Sequence, residues 1–129
     1  MTKLIIMIIE ICCSSQASFH KAIKGGASRI ELCENLMEDG ITPTSGFLKD
    51  VLDQTSVPVH VLIRPRSGNF VYTSKEVKTI AVQIEIARSM GASGVVIGAL
   101  NKDHSLPMKI LKNWVKIAQS LDLTFHRAF

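Results

Sequence analysis

Glu10-Ile11-Cys12 and Glu31-Leu32-Cys33 repeat one arrangement, a carboxylate and a thiol two residues apart. On a strand this spacing puts both groups on one face, so two such strands can deliver two carboxylates and two thiols to a common mouth. A mouth of that kind can run acid/base chemistry or hold a soft metal ion, because thiolates favour Cu(I) and zinc. Cys13 has the opposite parity and should point away. Buried cysteines also serve as small hydrophobes, and no CxxC spacing marks a metal site here. Arg64-Pro65-Arg66 holds two guanidiniums about a rigid proline, with Gly68 leaving room for a backbone to approach. It suits a carboxylate or phosphate group of a ligand, or salt bridges to Glu10 and Glu31. His126 is a candidate proton carrier or metal ligand, and Arg127 follows it. His20, His60 and His104 read as a helix surface, a strand interior and a loop, with no role assigned.

These groups need strands to aim them. Leu4 to Ile11 is a continuous apolar, β-branched run, as in a strand buried on both faces of a parallel sheet. Ser14 and Ser15 can cap a helix with Phe19, Ala22 and Ile23 on one face, which Gly25-Gly26 ends. Arg29 to Cys33 then alternates at strand period, with Arg29, Glu31 and Cys33 on its polar side. A second helix opens near Thr44 or Ser45, and Pro58 leads into a third strand, Val59 to Ile63. Thr73 and Glu76 stand at capping-box spacing ahead of a helical stripe of Val77, Ile80, Ala81, Ile84 and Ala87, as far as Gly91. Strand four is Gly94 to Gly98. Pro107 starts a fourth helix with Ile110, Leu111, Trp114, Val115 and Ala118 inward, and Leu123 to Phe125 forms a fifth strand. Gly26-Ala27-Ser28 and Gly91-Ala92-Ser93 mark a weak internal repeat, each ending a helix and launching a strand.

Alternating strands and helices imply right-handed βαβ crossovers and a parallel sheet, open or barrelled. If barrelled, the site lies at the carboxyl ends of the strands, where this reading puts Glu10 and Cys12, Glu31 and Cys33, Arg64 and Arg66, Gly98, then His126 and Arg127. The same residues would also serve if they only paired with one another as a structural ion network.

Composition bounds the rest. With 129 residues, 47% hydrophobic and 20% charged, the chain supports a single domain spanning 1–129. The net charge of +4 comes from scattered Lys and Arg with few aromatics, which argues against nucleic-acid binding. Three cysteines, an odd count, fit a reducing cytoplasm better than a secreted disulfide framework. Lys3 to Ile9 imitates a signal peptide, but Glu10 interrupts it, and no stretch approaches the roughly 18 apolar residues of a membrane span.

In Glu10-Ile11-Cys12, Gly26 to Cys33, Gly40-Ile41-Thr42-Pro43, Ile63 to Tyr72, Gly91 to Gly98 and Thr124 to Phe129, the chain resembles the copper homeostasis protein CutC family. The resemblance runs in order along nearly the whole chain. It implies a TIM-like parallel β/α barrel, cytoplasmic and linked to copper, with Cys12 and Cys33 at positions suggested to bind Cu(I). Cys13 is an added thiol, Ser67-Gly68-Asn69 stands where the family usually has Gly-Gly-Asp, and the family continues for several more βα units.

The leading expectation is therefore an incomplete barrel of five strands and four helices that binds Cu(I) through Cys12 and Cys33. The alternative is a barrel enzyme acting on a small anionic substrate. There Arg64, Arg66 and Arg127 would hold the anion, Glu10 or Glu31 would be the base and His126 the acid, with both arginines within a few ångströms of Glu10 or Glu31. Five strands leave two open edges, so the chain is expected to pair with a second copy or to be marginally stable.

Overall fold

A computed structural model describes residues 6–128. The elements run β1 (Glu10–Cys13), α1 (Gln16–Lys24), β2 (Arg29–Leu32), α2 (Ser45–Gln54), β3 (Val59–Leu62), α3 (Ser74–Met90), β4 (Gly94–Ile97), α4 (Met108–Ala118) and β5 (Asp122–Phe125). A single turn of 3₁₀ helix, Leu36–Glu38, lies between β2 and α2. All five strands are parallel and stand side by side in chain order. Singly wound order with right-handed crossovers puts every helix on one face of the sheet, and β1 and β5 remain as edges. The architecture is an unclosed β/α barrel.

Local chemistry sets the helix starts. Ser15 caps α1 and exchanges hydrogen bonds with Ser18, while Thr73 and Glu76 form the capping box that opens α3. Thr44 caps α2 through the Phe47 amide. The Gly-Ala-Ser repeat builds the same helix-to-strand corner twice. Gly26 and Gly91 take left-handed φ of 92° and 97°, the following alanine N–H donates back to Ala22 or Ala87, and the serine N–H donates to the preceding strand's side, at Ile9 or Val59.

The helix-facing side of the sheet holds the main core. Cys13, Ile30, Leu32, Val61, Ile63, Val95 and Ile97 pack there against Phe19, Val51, Ile80, Ile84 and the fully buried Trp114. Trp114 also donates its indole N–H to the Val77 carbonyl at 3.4 Å, tying α4 to α3.

Two expectations need correction. The apolar run at the chain start does not form a strand buried on both faces: β1 begins only at Glu10, and Ile6, Met7, Ile8 and Ile9 are exposed. A parallel strand needs a partner, and β2 begins only at Arg29, so pairing stops with the bonds between Ile9 and the Ser28–Arg29 backbone and the described residues before Ile9 have no ladder to join. Residues 4 and 5 of that predicted strand, and Phe129, lie outside the described residues. On α4, Val115 faces solvent instead of the core, because Leu111, Trp114 and Ala118 alone define the buried stripe.

Candidate functional site

Strand parity sorts the candidate residues between the two faces. Cys12 and Glu31 are register partners on β1 and β2, and Glu31 and His60 are partners on β2 and β3, so one row crosses the inner face. Cys33 stands just beyond β2 on that same face, and its sulfur lies 3.7 Å from that of Cys12. Cys13 has gone the other way, fully buried with its thiol directed to the Ser18 carbonyl at 3.7 Å. The two inner thiols are unequal. Cys12 is exposed and Cys33 buried, the latter under the Gly40 backbone, where a Cβ would meet Leu62 at 3.1 Å. Their mutual hydrogen bond lowers the Cys12 thiol below its ordinary range, against the opposing effects of burial and of Glu31 and Glu10, and the same bond raises Cys33. One proton is thus retained on Cys33 while Cys12 more readily becomes the thiolate. Burial, then the neighbouring Glu10, pushes the Glu31 carboxyl upward.

Glu10 is not at the mouth. It opens β1, at the amino end, and receives a hydrogen bond from Arg29 at 2.6 Å, its register partner at the start of β2. The expected contacts of Arg64 and Arg66 with Glu10 or Glu31 are also not what forms. β3 ends at Leu62, so parity does not extend to Arg66. Its guanidinium turns to Glu76, donates to the Asn69 and Val71 carbonyls and lies over the Tyr72 ring. Arg66 therefore secures the β3–α3 loop to the first turn of α3, and holds the Glu76 carboxyl below the usual range.

Arg64 does enter the cleft. It is buried, and its Nη1 donates to the Glu38 and Gly40 carbonyls at 2.6 and 2.9 Å and its Nη2 to that of Gly68 at 3.0 Å. These bonds pull the loops after β2 and β3 together. Its guanidinium lies 5.2 Å from the centre of the Phe70 ring, which in turn is tilted against the His126 ring at 4.9 Å. Burial, and then Arg64, lower the His126 imidazole below its ordinary value, so the ring is held neutral. Arg64, Phe70, His126, Arg127, Glu31 and Asp39 all border an open cleft of about 960 Å³ on the inner face. His126 and Arg127 thus stand where the sequence placed them, at the carboxyl end of β5, and Arg66 does not reach this space.

Sequence reasoning passed over two features. His60 is buried beneath the inner face, with both ring nitrogens lacking a partner among the described residues, and Nε2 is 3.6 Å from an Asp122 carboxylate oxygen. Burial, then Arg29, lower its imidazole. Gly94, which opens β4, and Gly98, which directly follows it, are what admit the two histidines. A Cβ on Gly94 would fall 2.9 Å from the His60 ring, and one on Gly98 only 2.2 Å from that of His126. The available signal was the spacing of Gly94 and Gly98, which leaves two gaps on one face of an otherwise apolar strand. Among the described residues no group of three or more His, Cys, Asp or Glu is gathered closely enough to hold a metal ion, and no helix is long and apolar enough to cross a membrane.

The model of the CutC family matches residues 7–129. Similar proteins include the family protein CutC of Porphyromonas gingivalis, 42% identical over 123 residues, which cover 95% of this chain and 50% of that protein. The copper homeostasis protein cutC homolog of Mus musculus is 42% identical over 122 residues, covering 95% of this chain and 45% of the mouse protein. A crystal structure of a CutC from Streptococcus agalactiae superposes with a TM-score of 0.87 at 31% identity, covering 95% of this chain and 60% of that one. The chain spans about half the length of the curated relatives it matches.

Proposed function

The chain belongs to the CutC family, and from that premise we propose that it is a cytoplasmic copper-homeostasis protein that binds Cu(I) weakly through Cys12 and Cys33. The observation that carries this reading is the 3.7 Å separation of the two sulfurs on the inner face. Two soft donors at that distance can share one soft ion with small side-chain rotations, and the more acidic Cys12 provides the first thiolate. Three free cysteines support a reducing compartment. With an exposed approach at Cys12, the ion would stay open to exchange with other ligands. The site would lie within one partial-barrel domain.

Anaerobic titration of the reduced chain with Cu(I) against a competing chelator tests the assignment. One equivalent should bind to the native chain, and the Cys12→Ser, Cys33→Ser double variant should lose it. Unchanged binding in the double variant would remove the thiols from the account.

A further inference from the structure

The Arg64 end of the inner-face cleft carries chemistry that the copper reading does not use. Arg64 has five N–H donors, and three are engaged by main-chain carbonyls. Nε–H and one Nη2 N–H are left without an acceptor among the described residues, and Nε is buried. The charge is uncompensated too, since no carboxylate among the described residues lies within 4.0 Å of this guanidinium. A buried cation of this kind is costly unless an acceptor meets it. His126 Nε2 is likewise buried and without a partner among the described residues, its ring 4.9 Å from that of Phe70.

We propose that this end of the cleft binds a small monocarboxylic acid with an apolar body, its carboxylate directed to Arg64 and His126 and its body against Phe70, Phe125, Leu62 and Val96. All six residues border the 960 Å³ cleft, and the location, at the carboxyl ends of β3 to β5, is where barrel ligands sit. The charge pattern selects a single negative charge. Arg64 and Arg127 are matched along the cleft by Asp39 and Glu31, so one carboxylate can pair with Arg64 while the second charge of a dianion or phosphate gains no net attraction, and an apolar tail meets Phe, Leu and Val. The subsite uses no atom of Cys12 or Cys33 and stands apart from the copper reading.

Titration of the purified chain with benzoate, benzamide and inorganic phosphate, followed by the NMR signal of the His126 ring, tests this. Benzoate should shift that signal saturably and bind at least about tenfold more tightly than its neutral isostere benzamide, with phosphate weaker than benzoate. Arg64→Lys keeps the charge but loses the planar fork, and should weaken benzoate about tenfold; Cys12→Ser with Cys33→Ser should leave benzoate affinity unchanged. Equal binding of benzoate and benzamide, absence of a saturable shift, or tighter binding of phosphate would overturn the proposal. If Arg64→Lys does not fold because it anchors two loops, the comparison of benzoate with benzamide on the native chain still decides.

Discussion

The two faces of this sheet are made from the same five strands and behave as different materials. Toward the helices, Cys13, Ile30, Leu32, Val61, Val95 and Ile97 are buried among Phe19, Ile84 and Trp114 without a charge among them. Toward the cleft, the same strands present Cys12, Glu31, His60, Gly94 and Asp122 in one row of register partners, and the apolar cluster shrinks to Cys33, Leu62 and Val96. The lesson is that a period of two residues divides stability from chemistry. Adjacent residues can then be tested for opposite effects.

The largest expected effect lies on the helix face. Trp114→Ala empties a fully buried site and severs the link to Val77, and should cost about 3–5 kcal/mol by denaturant unfolding. Glu31→Gln, on the cleft face, should cost less than about 1 kcal/mol, since burial already works against its charge. Similar losses for both would break the comparison.

Gly98→Ala sharpens it at one position. The new methyl would lie 2.2 Å from the His126 ring, so the ring must leave the cleft or the strands must separate, at a cost of about 1–3 kcal/mol. A crystal structure of the variant should show His126 displaced; an unmoved ring with unchanged stability would show that β4 yields more easily than this packing suggests.

The smallest effect is a pH dependence. His126 and His60 have folded-state values below the ordinary 6.5 of imidazole, chiefly because they are buried. As pH falls through about 6.5 the unfolded chain takes up protons that the folded chain refuses, so stability declines on acidification until the folded rings also protonate. Each unit of separation is worth about 1.4 kcal/mol. Glu31, raised in the folded state, acts in the opposite sense at lower pH, so the informative quantity is the native slope minus that of His126→Gln. That difference should be positive between about pH 7 and 5; equal slopes would show that burial does not hold His126 neutral.

How far the sequence could be read follows the range of the forces involved. The capping residues Ser15, Thr44 and Thr73 and the corner glycines Gly26 and Gly91 act within four residues, and they mark the observed ends. Parity is also local, so the separation of Cys12 from Cys13 was legible. The start of β1 was not, because a run of apolar residues does not say where its partner strand begins. Nor was the destination of Arg66, since once β3 stops at Leu62 the loop geometry, not alternation, decides that Glu76 is reached before Glu31. His60 was missed for a related reason: the space it fills is supplied by Gly94, on the next strand after the whole of α3.

The most direct test uses two neighbouring atoms of sulfur. Cys12→Ser and Cys13→Ser, compared for Cu(I) affinity under a competing chelator and for unfolding free energy, should give crossed results. Cys12→Ser should lose most Cu(I) affinity and change stability by no more than about 0.5 kcal/mol. Cys13→Ser should keep Cu(I) binding and lose about 1–3 kcal/mol, because a hydroxyl replaces a fully buried thiol. Equal loss of Cu(I) binding from Cys13→Ser, or full retention in Cys12→Ser, would contradict the division of the two faces on which this account rests.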